Sequence, residues 1–357
     1  MPLTILSVGY SFAPVGPNCV GGAEQVLTVL DQALVKNGNT SLVLACEGSI
    51  AAGKLFILPS IRHEFRDDAE DGWLKGNFQA LLDDVLCTNH IDLIHMHGLD
   101  FYRYKLPTNI PVLVTLHLPF SWYPSEIWKQ LPSNVQLQCV SETQRRSCLS
   151  ELREAVVIGN GVEVSPEEKK KTTSNFAVTL GRICPEKNQH AALEAGSQAD
   201  TPVILGGQVF PWTEHKRYFC EKIKPLLAQE RGPIKHKFAG VLPPQERHTL
   251  LGQAKCLLHP TLAPETSSLV AMEALAEGTP VIAYRSGALP EIVEDGVSGF
   301  LVESVEEMAN AIRRIHAIRP EACKETAARR FSRERMVHQY FGLYEDMVRY
   351  RKEKLYA

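Results

Sequence analysis

Short apolar runs alternate with longer amphipathic stretches along the first half of the chain. A helical pattern covers residues 21–38 and ends at Gly38, a residue type that is common just after a helix. Continuous apolar strands separated by helices are typical of a parallel sheet that is covered on both faces. Runs that predict such buried strands lie at 3–10, 41–48, 91–98, 112–119 and 134–141.

The same alternation restarts after a polar segment in the middle of the chain. Residues 165–175 read SPEEKKKTTSN, and this stretch is the predicted linker. Further predicted strands lie at 175–182, 202–207, 234–242, 256–260, 280–284 and 299–304, and helices near 188–198, 214–229, 244–252, 305–318 and 332–354. We therefore predict two domains, 1–165 and 172–334. Because open α/β sheets bind ligands beyond the carboxyl ends of their strands, the expected site is a cleft between these domains.

One stretch of the second half combines a helix start with two carboxylates. It reads PETSSLVAMEALAEGTPVIAYRSG over residues 264–287, with Thr266 or Ser267 as the expected N-cap and Gly278 just after the helix. The predicted helix covers roughly 267–277. Its first turn offers free backbone N–H groups and the positive end of the helix dipole, which suits a phosphate.

The two carboxylates match the parts of a nucleotide sugar. Glu265 lies just before the helix, and Glu273 lies two turns inside it, roughly 9 Å along the axis. A carboxylate can accept two hydrogen bonds from a ribose diol. We therefore expect the ribose at Glu273, the phosphates at the helix start and sugar hydroxyls at Glu265. The alternative is that Glu265 only complements the dipole and that Glu273 is a solvated or capping charge.

Two other loops have the chemistry of a phosphate site. Arg182 directly follows a predicted strand and Lys187 comes five residues later, so one loop carries two cations that can neutralise a diphosphate. Gly21 and Gly22 open the first long helix, where glycines let a ligand approach the backbone. The alternatives are ordinary surface cations in the first loop and a simple turn in the second.

These motifs together resemble the retaining glycosyltransferases of family 4, which have the GT-B fold. The resemblance spans nearly the whole chain and is carried by GGAE at 21–24, G-R-x-x-x-x-K at 181–187, NGV at 160–162, and E-x7-E at 265–273 with EALAEGTPVIAYRSGALPEIVEDGVSGFLV from 273 onward. It implies an α/β GT-B architecture with two Rossmann-like doubly wound parallel-sheet domains facing a central cleft. It also implies that the C-terminal helix, 335–357, packs back on the first domain.

The resemblance implies roles for the matched positions. Arg182 and Lys187 would pair with the departing phosphates and Glu265 with sugar hydroxyls, while His117 approaches the donor sugar from the first domain; these four are the expected catalytic residues. His97 is expected on the acceptor side, with a purely structural histidine as the alternative. The expected donor-binding positions are Gly21, Gly22, Gly181, Arg182, Lys187, Glu265, Ser267, Ser268, Leu269 and Glu273.

The implied activity is sugar transfer from a nucleoside diphosphate sugar with retained anomeric configuration. A UDP-sugar is favoured over a GDP-sugar, and the acceptor is a saccharide, a lipid-linked molecule or a small molecule. The chain has no D-x-D pair for a divalent metal, so we expect neither a metal nor a cofactor. Thr266-Ser267-Ser268 stands where family members often have Pro or Gly, an aromatic residue and Gly, which leaves the donor sugar open.

Composition restricts the other partners. The chain has 357 residues and a net charge of −3, which gives no pull toward nucleic acid. Nine scattered cysteines form no C-x-x-C pair, and His95 and His97 have no nearby third ligand, so a zinc site is not expected. We find no signal peptide or membrane-length apolar run and expect a cytoplasmic protein. The basic RYRKEK segment of the last helix leaves peripheral membrane contact open, although core packing is favoured.

Three other functions share parts of this pattern. A nucleotide-sugar 2-epimerase of GT-B fold would use the same two-domain cleft but would invert a stereocentre of the donor. A non-catalytic nucleotide-sugar-binding subunit would keep the binding residues without turnover. A nicotinamide-dependent dehydrogenase ranks low, because no G-x-G-x-x-G follows the first strand.

Overall fold

Two compact units make up the chain in the computed structural model, which describes residues 2–58, 68–152, 155–164, 174–228 and 234–356. One unit is Met1–Asn160 together with Glu334–Ala357, and the other is Gly161–Arg333. Residues 165–173, which form most of the predicted linker, lie outside the described residues.

The first unit ends earlier than the predicted domain boundary at residue 165. The backbone N–H of Val162 donates to the carbonyl of Phe331 at 2.8 Å, and the N–H of Arg333 donates to the carbonyl of Val162 at 2.9 Å. The Val162 side chain is also buried in the core of the second unit. These contacts make Val162 part of the second unit, and the change of unit therefore falls after Asn160.

The first unit contains a seven-stranded, all-parallel sheet. Five of its strands lie within the predicted apolar runs, whereas the third and the seventh were not predicted. The strand order is β3-β2-β1-β4-β5-β6-β7. The strands are β1 Thr4–Val8, β2 Thr40–Cys46, β3 Lys54–Leu58, β4 Leu93–Met96, β5 Val112–Leu116, β6 Val135–Cys139 and β7 Val156–Val157.

Helices cover both faces of this sheet. The helices of the first part of the chain are α1 Gly22–Lys36, α2 Asp68–Thr88 and α3 Glu142–Ser147. Successive residues of β1 point to opposite faces: Leu6 packs in a cluster with Phe78 of α2, and Ile5 packs in a cluster with Leu30 of α1. Burial on both faces is the reason that these strands read as nearly continuous apolar runs.

The second unit repeats the arrangement with a six-stranded parallel sheet. Its strands are β8 Ala177–Leu180, β9 Val203–Gly206, β10 Lys237–Gly240, β11 Cys256–His259, β12 Val281–Tyr284 and β13 Gly299–Val302, in the order β10-β9-β8-β11-β12-β13. All six fall within predicted strands. Parallel strands have their carboxyl ends at one edge, so the loops after β8 and β11, two neighbouring strands, lie side by side.

The helices of the second unit depart from prediction in three places. The helices are α4 Gln189–Gln198, α5 Thr213–Tyr218, α6 Lys224–Leu227, α7 Pro244–Gln253, α8 Leu269–Ala276, α9 Leu289–Ile292, α10 Val305–Arg313 and α11 Pro320–Phe331. A π-helical stretch, Phe219–Ile223, divides the single helix predicted near 214–229, next to Pro225, which has no N–H for a regular helical bond. Helices α9 and α11 were not predicted.

The last helix, α12 Arg333–Tyr356, belongs almost entirely to the first unit. Met336, Tyr340 and Tyr344 are at most 1% exposed and lie in one cluster with Leu30 of α1 and Leu113 of β5. The predicted core packing of this helix is confirmed for these side chains. The described helices contain no segment that is both long and apolar enough to cross a membrane.

Candidate functional site

The start of α8 differs by one or two residues from the prediction. The N-cap is Ser268, not Thr266 or Ser267: its Oγ accepts a hydrogen bond from the N–H of Ala271. The Oγ of Ser268 also lies 3.2 Å from Nε2 of His259 at the end of β11. The second contact explains the shift, because a buried histidine at the strand end anchors this particular serine. The predicted position of Gly278 after the helix is confirmed by its φ of +76°.

Polar groups at the start of α8 remain available to an anion. The N–H groups of Leu269 and Val270 belong to the first turn and have no acceptor within the helix. The hydroxyl of Ser267 is buried and has no partner among the described residues. A buried hydroxyl without a partner is unfavourable unless a ligand or water supplies one. This helix start therefore has the chemistry of an anion site.

Glu265, just before this helix start, forms a close ion pair with Lys187. Their Oε2 and Nζ atoms are 2.5 Å apart, and Nε2 of His259 lies 3.5 Å from the same oxygen. Burial by itself raises the pKa of Glu265, but the Lys187 charge and the hydrogen bonds from His259 and Lys187 outweigh burial and hold the pKa at about 2. Glu265 is therefore a permanent carboxylate whose second oxygen can still accept hydrogen bonds.

Backbone contacts fix the loop that carries Glu265. The carbonyl of Glu186 accepts from the N–H of Leu262, and the carbonyl of Glu265 accepts from the N–H of Ala288 at 2.6 Å. Gly287 makes the second contact possible, since a Cβ there would lie 2.1 Å from the Glu265 carbonyl oxygen. These contacts tie the Glu265 loop to the Lys187 loop on one side and to the turn after β12 on the other.

The loop after β8 has a backbone that only certain residues can adopt. Gly181 has a φ of +140° and Gly207 a φ of +150°, and a Cβ on Gly207 would lie 1.8 Å from the Gly181 carbonyl oxygen. Asn188 closes the loop with a left-handed φ of +54° and donates from Nδ2 to the carbonyl of Pro260. The carbonyl of Arg182 accepts from Gln189 Nε2 at 2.7 Å. These constraints set the path of the chain between Arg182 and Lys187.

Three side chains near Arg182 have the atom types of a metal site. The Cys184, Glu186 and His215 ligand atoms lie within 4.8 Å of one another. Burial is the largest influence on their three pKa values, and the Arg182 guanidinium lowers all of them. A fixed positive charge that acts on all three groups favours an anionic ligand over a cation. The expectation of a metal-independent site therefore stays our prediction.

Glu273 is buried inside α8, so the alternative of a solvated charge is wrong. Its Oε1 lies 2.9 Å from a terminal nitrogen of Arg247 on α7. Burial raises the pKa of Glu273, and the Arg247 charge lowers it in part. The Nε of Arg247 is buried without a partner among the described residues. The pair thus holds Glu273 in place, and Arg247 is a site residue that the sequence did not single out.

The predicted glycine loop of the first unit already holds a carboxyl group. Gly21 is the N-cap of α1, and Gly22 is the first residue of the helix. A Cβ on Gly21 would lie 1.9 Å from Oε2 of Glu24, whose side chain folds back over the helix start. Burial raises the pKa of Glu24. The glycine at position 21 therefore makes room for a buried carboxyl group, which is a packing role and not a ligand-binding one.

The two predicted histidines of the first unit are hydrogen bonded to each other. Nδ1 of His97, directly after β4, lies 3.2 Å from Nε2 of His117, directly after β5. Nε2 of His97 lies 3.1 Å from Nδ1 of His95. Burial lowers the pKa of all three rings and brings that of His117 to about 3. The structure therefore places the predicted donor-side and acceptor-side histidines in one neutral cluster.

Two protein-family models match this chain. The model described as Glycosyl transferases group 1 matches residues 162–330, and the model described as Glycosyltransferase Family 4 matches residues 20–165. Together they cover residues 20–330. The chain belongs to the family 4 glycosyltransferases.

Curated relatives of this glycosyltransferase match it only in part. The lipopolysaccharide 1,2-N-acetylglucosaminetransferase of Salmonella typhimurium is 26% identical over 58% of this chain and 52% of its own length. A D-inositol 3-phosphate glycosyltransferase of Saccharomonospora viridis is 40% identical over 24% of this chain and 21% of its own. An uncharacterized 41.2 kDa protein in the cps region of Klebsiella pneumoniae is 39% identical over 24% of its length. The matches thus span between a fifth and about half of these relatives.

Solved structures show the fold of the glycosyltransferase over nearly its full length. The Anabaena protein HepE, in complex with UDP-glucose, has a TM-score of 0.72 at 20% identity and covers 96% of this chain and 100% of its own. The sucrose-phosphate synthase of Thermosynechococcus elongatus has a TM-score of 0.76 at 19% identity, with 96% and 99% covered. The predicted GT-B fold is confirmed.

The buried histidines of the glycosyltransferase predict a dependence of stability on pH. His95 and His97 are at most 1% exposed, and burial keeps their folded-state pKa values well below 6.5. The unfolded chain therefore binds more protons below pH 6.5, and the free energy of unfolding falls as the pH falls. The slope is expected to be small at pH 7.5 and to approach about 1.4 kcal/mol per pH unit for each histidine toward pH 5.5. Urea unfolding between pH 7.5 and 5.5 measures it.

A matched pair of variants assigns this slope. His97→Asn is expected to remove the contribution of one histidine from the slope. His338→Asn changes an exposed histidine of α12 and should leave the slope unchanged. Equal slopes in the unaltered protein and in His97→Asn would contradict the assignment.

Proposed function

We propose that this protein transfers a sugar from a nucleoside diphosphate sugar to a hydroxyl of an acceptor, with retention of the anomeric configuration. The acceptor is a saccharide, a lipid-linked molecule or a small molecule. The reaction needs neither a metal nor a cofactor, because protein cations and backbone N–H groups supply the charge stabilisation.

The observation that carries this proposal is the helix start of α8 with its flanking residues. A buried hydroxyl without a partner, on Ser267, stands beside the two free N–H groups of the first helical turn. Glu265 lies just before this helix start in the chain, and its ion pair with Lys187 holds one carboxylate and one cation in fixed positions. An anion and a neutral polyol would both be bound there, which is the composition of a nucleotide sugar.

The proposed chemistry is stabilisation of the leaving diphosphate. Negative charge develops on the phosphate oxygen as the bond to the sugar breaks, and Arg182, Lys187 and the helix start are the groups that would stabilise it. Glu265 is engaged by Lys187 and His259, so its role is to hold sugar hydroxyls rather than to attack the sugar. Retention then results from attack by the acceptor on the same face that the diphosphate leaves, as positioning and orientation allow.

UDP-sugars are the first donors to test. The structurally similar HepE is described with UDP and with UDP-glucose. The curated relatives include transferases named for lipopolysaccharide and for inositol phosphate, which supports a hydroxyl acceptor on a saccharide or a small molecule. The buried Glu273 offers a carboxylate for a ribose diol, which UDP-, GDP- and ADP-sugars all have.

A panel of UDP-, GDP- and ADP-sugars in a thermal-shift assay tests the proposal. At about a hundredfold excess over Kd, a true donor stabilises the folded state by about 2.7 kcal/mol. For domains of this size that corresponds to a rise in melting temperature of roughly 5–10 °C. Arg182→Ala should lose most of the shift, whereas Lys216→Ala, an exposed lysine of α5, should keep it. A panel without any shift would contradict the proposal.

Incubation of the bound donor without an acceptor distinguishes the transferase from an epimerase. A transferase releases free sugar at most slowly, whereas an epimerase converts the donor to its stereoisomer. Donor that binds but reacts neither alone nor with any acceptor would favour the non-catalytic binding subunit.

A further inference from the structure

One ion pair of the second unit reaches from α7 to a carboxylate inside an otherwise apolar helix. Glu273 is the one charged residue of α8, which reads LVAMEALA, and its side chain is only 8% exposed. Its Oε1 lies 2.9 Å from a terminal nitrogen of Arg247, whose own side chain is 18% exposed. A buried charge is unfavourable unless it is paired, so both charges depend on this contact.

Helix α7 is attached to α8 by other contacts as well. Nδ1 of His248 on α7 lies 3.1 Å from Oε1 of Glu277, at the carboxyl end of α8. The hydroxyl of Thr279, in the turn that follows, donates to the carbonyl of Leu251 on α7 at 2.6 Å. These two contacts hold α7 against α8 independently of Arg247. Docking of the two helices therefore does not explain why a buried arginine is placed here.

The placement of Arg247 is also unfavourable in one respect. Its Nε is buried and makes no hydrogen bond to the described residues. Burial of an N–H group without an acceptor costs free energy. An arrangement that served stability alone would not be expected to leave this group unpaired, and departures of this kind are expected at functional sites. The contact of Arg247 with Glu273 therefore points to a binding role.

Arg247 determines what Glu273 can offer to a ligand. Burial favours a proton on the Glu273 carboxyl group by raising its pKa, and the Arg247 charge opposes this effect. A charged carboxylate only accepts hydrogen bonds, whereas a protonated one carries a hydroxyl that donates. With one lone pair of Oε1 used by Arg247, the charged group still has lone pairs on both oxygens. Two neighbouring hydroxyls of a diol fit this acceptor better than they fit a protonated, freely rotating side chain.

We propose that Arg247 is a positioning residue that keeps Glu273 charged and oriented, and thereby makes nucleotide binding depend on the ribose diol. This inference rests on the proposed function, in which Glu273 holds the ribose of the donor. Arg247 acts through Glu273 and not on the reacting atoms. It sets the preference for a ribonucleotide over the corresponding 2′-deoxyribonucleotide, which lacks one of the two hydroxyls.

Isothermal titration calorimetry of the full chain measures this preference. The probes are UDP, GDP and ADP and their 2′-deoxy forms. The ribose preference is the Kd of the deoxynucleotide divided by the Kd of the ribonucleotide, for each nucleotide that binds. Because one hydrogen bond to a charged group is lost in the deoxynucleotide, we expect a preference of about tenfold or more in the unaltered protein.

A matched pair of variants separates the positioning role from helix docking. Arg247→Met and His248→Met each remove one ion pair between α7 and α8 and introduce the same side chain at neighbouring positions. Arg247→Met should weaken binding of the ribonucleotide more than binding of the deoxynucleotide, so that the preference falls to about threefold or less. His248→Met should keep the preference of the unaltered protein. Equal preferences in the two folded variants would overturn the proposal.

Arg247→Lys keeps the test decisive if Arg247→Met does not fold. The variant retains a positive charge beside Glu273 and so avoids an unpaired buried carboxylate. An ammonium group lacks the planar, rigid fork of the guanidinium and orients a carboxylate less well. The ribose preference should therefore be lower than in the unaltered protein, and an unchanged preference would overturn the positioning role.

The thermal-shift panel distinguishes a failure of this proposal from a failure of the proposed function. If neither the nucleotide sugars nor the nucleoside diphosphates bind, the proposed function is refuted, and the role of Arg247 is refuted with it. If nucleotides bind but the unaltered protein does not prefer ribose, or if Arg247→Met prefers it just as strongly, only the proposal for Arg247 is refuted.

Discussion

Lys187→Ala is expected to lower turnover at least about 10²-fold, and Arg182→Ala by a similar factor. In the proposed reaction each side chain stabilises charge that develops on the leaving diphosphate, and a preorganised donor of this kind contributes about 2.7–4 kcal/mol to the transition state. Lys187 is held within 2.5 Å of Glu265, so its charge is in place before the substrate binds. The measurement is kcat with the donor found in the thermal-shift panel.

The controls separate chemistry from folding and from net charge. Lys187→Arg keeps the charge but not the length or shape of the side chain, and it should retain more activity than Lys187→Ala. Lys216→Ala removes a positive charge from an exposed position of α5 in the same unit and should leave kcat unchanged. Near-normal turnover in folded Lys187→Ala and Arg182→Ala proteins would show that the leaving group is stabilised by other groups.

Glu265→Ala is expected to lower the free energy of unfolding of the second unit by about 3 kcal/mol. The pKa of Glu265 is about 2, against an ordinary value of 4.5, and each pKa unit corresponds to about 1.4 kcal/mol. Removal of one partner also leaves the charge of Lys187 in a half-buried place without its counter-ion. Urea unfolding at neutral pH measures the loss.

The dependence on pH gives this prediction a second, independent result. A carboxyl group with a lowered pKa stabilises the folded state fully above its unfolded-state pKa and loses this effect as the pH falls toward the folded-state pKa. The difference between the unaltered protein and Glu265→Ala should therefore shrink from pH 4.5 downward and vanish near pH 2. Glu303→Ala removes an exposed carboxylate with a 4.0 Å ion pair and should cost at most about 1 kcal/mol. If Glu265→Ala lowered the free energy of unfolding by no more than Glu303→Ala does, the interpretation would be contradicted.

The alternation of apolar runs and helices was sufficient to predict the central strands of the first sheet and all strands of the second. Parallel strands that are buried on both faces leave a strong signal, because most positions along them are apolar, as in β2 and β5. Strands β3 and β7 lie at the edges of their sheet, where fewer side chains are buried, and they were missed. Helix α11 was missed because charged residues interrupt its apolar positions, as its sequence PEACKETAARRF shows.

The partners of the predicted site residues were harder to predict than the residues themselves. Arg247 on α7 lies 26 residues before its partner Glu273 in the chain. His259 at the end of β11 lies 6 residues before Glu265. No local sequence pattern links either residue to its partner. Gly287 has a better signal, since a glycine in the turn after a strand often marks a close approach of backbone. The hydroxyls of residues 266–268 all suit an N-cap, and only the contact of Ser268 with His259 selects one of them.

The buried polar side chains on and after β4 and β5 of the first unit can be recognised in the sequence. His95 and His97 alternate with apolar residues in LIHMH, and Thr115 and His117 do the same in VTLH. Polar residues two apart on otherwise apolar strands lie on the same face of a sheet. This period of two predicts that such side chains meet each other inside the core. It does not show which of two polar side chains donates the hydrogen bond, because this depends on neighbours such as Gln138 of β6.

The last helix has a consequence for the order in which the protein can fold during synthesis. The second unit is one continuous segment, Gly161–Arg333, and all of it leaves the ribosome before most of α12. The core of the first unit is complete only when Tyr340 and Tyr344 are present, and their hydroxyls then contact Gln138 and His95, respectively. The nascent chain should therefore hold a finished second unit and an unfinished first one until its final helix is made.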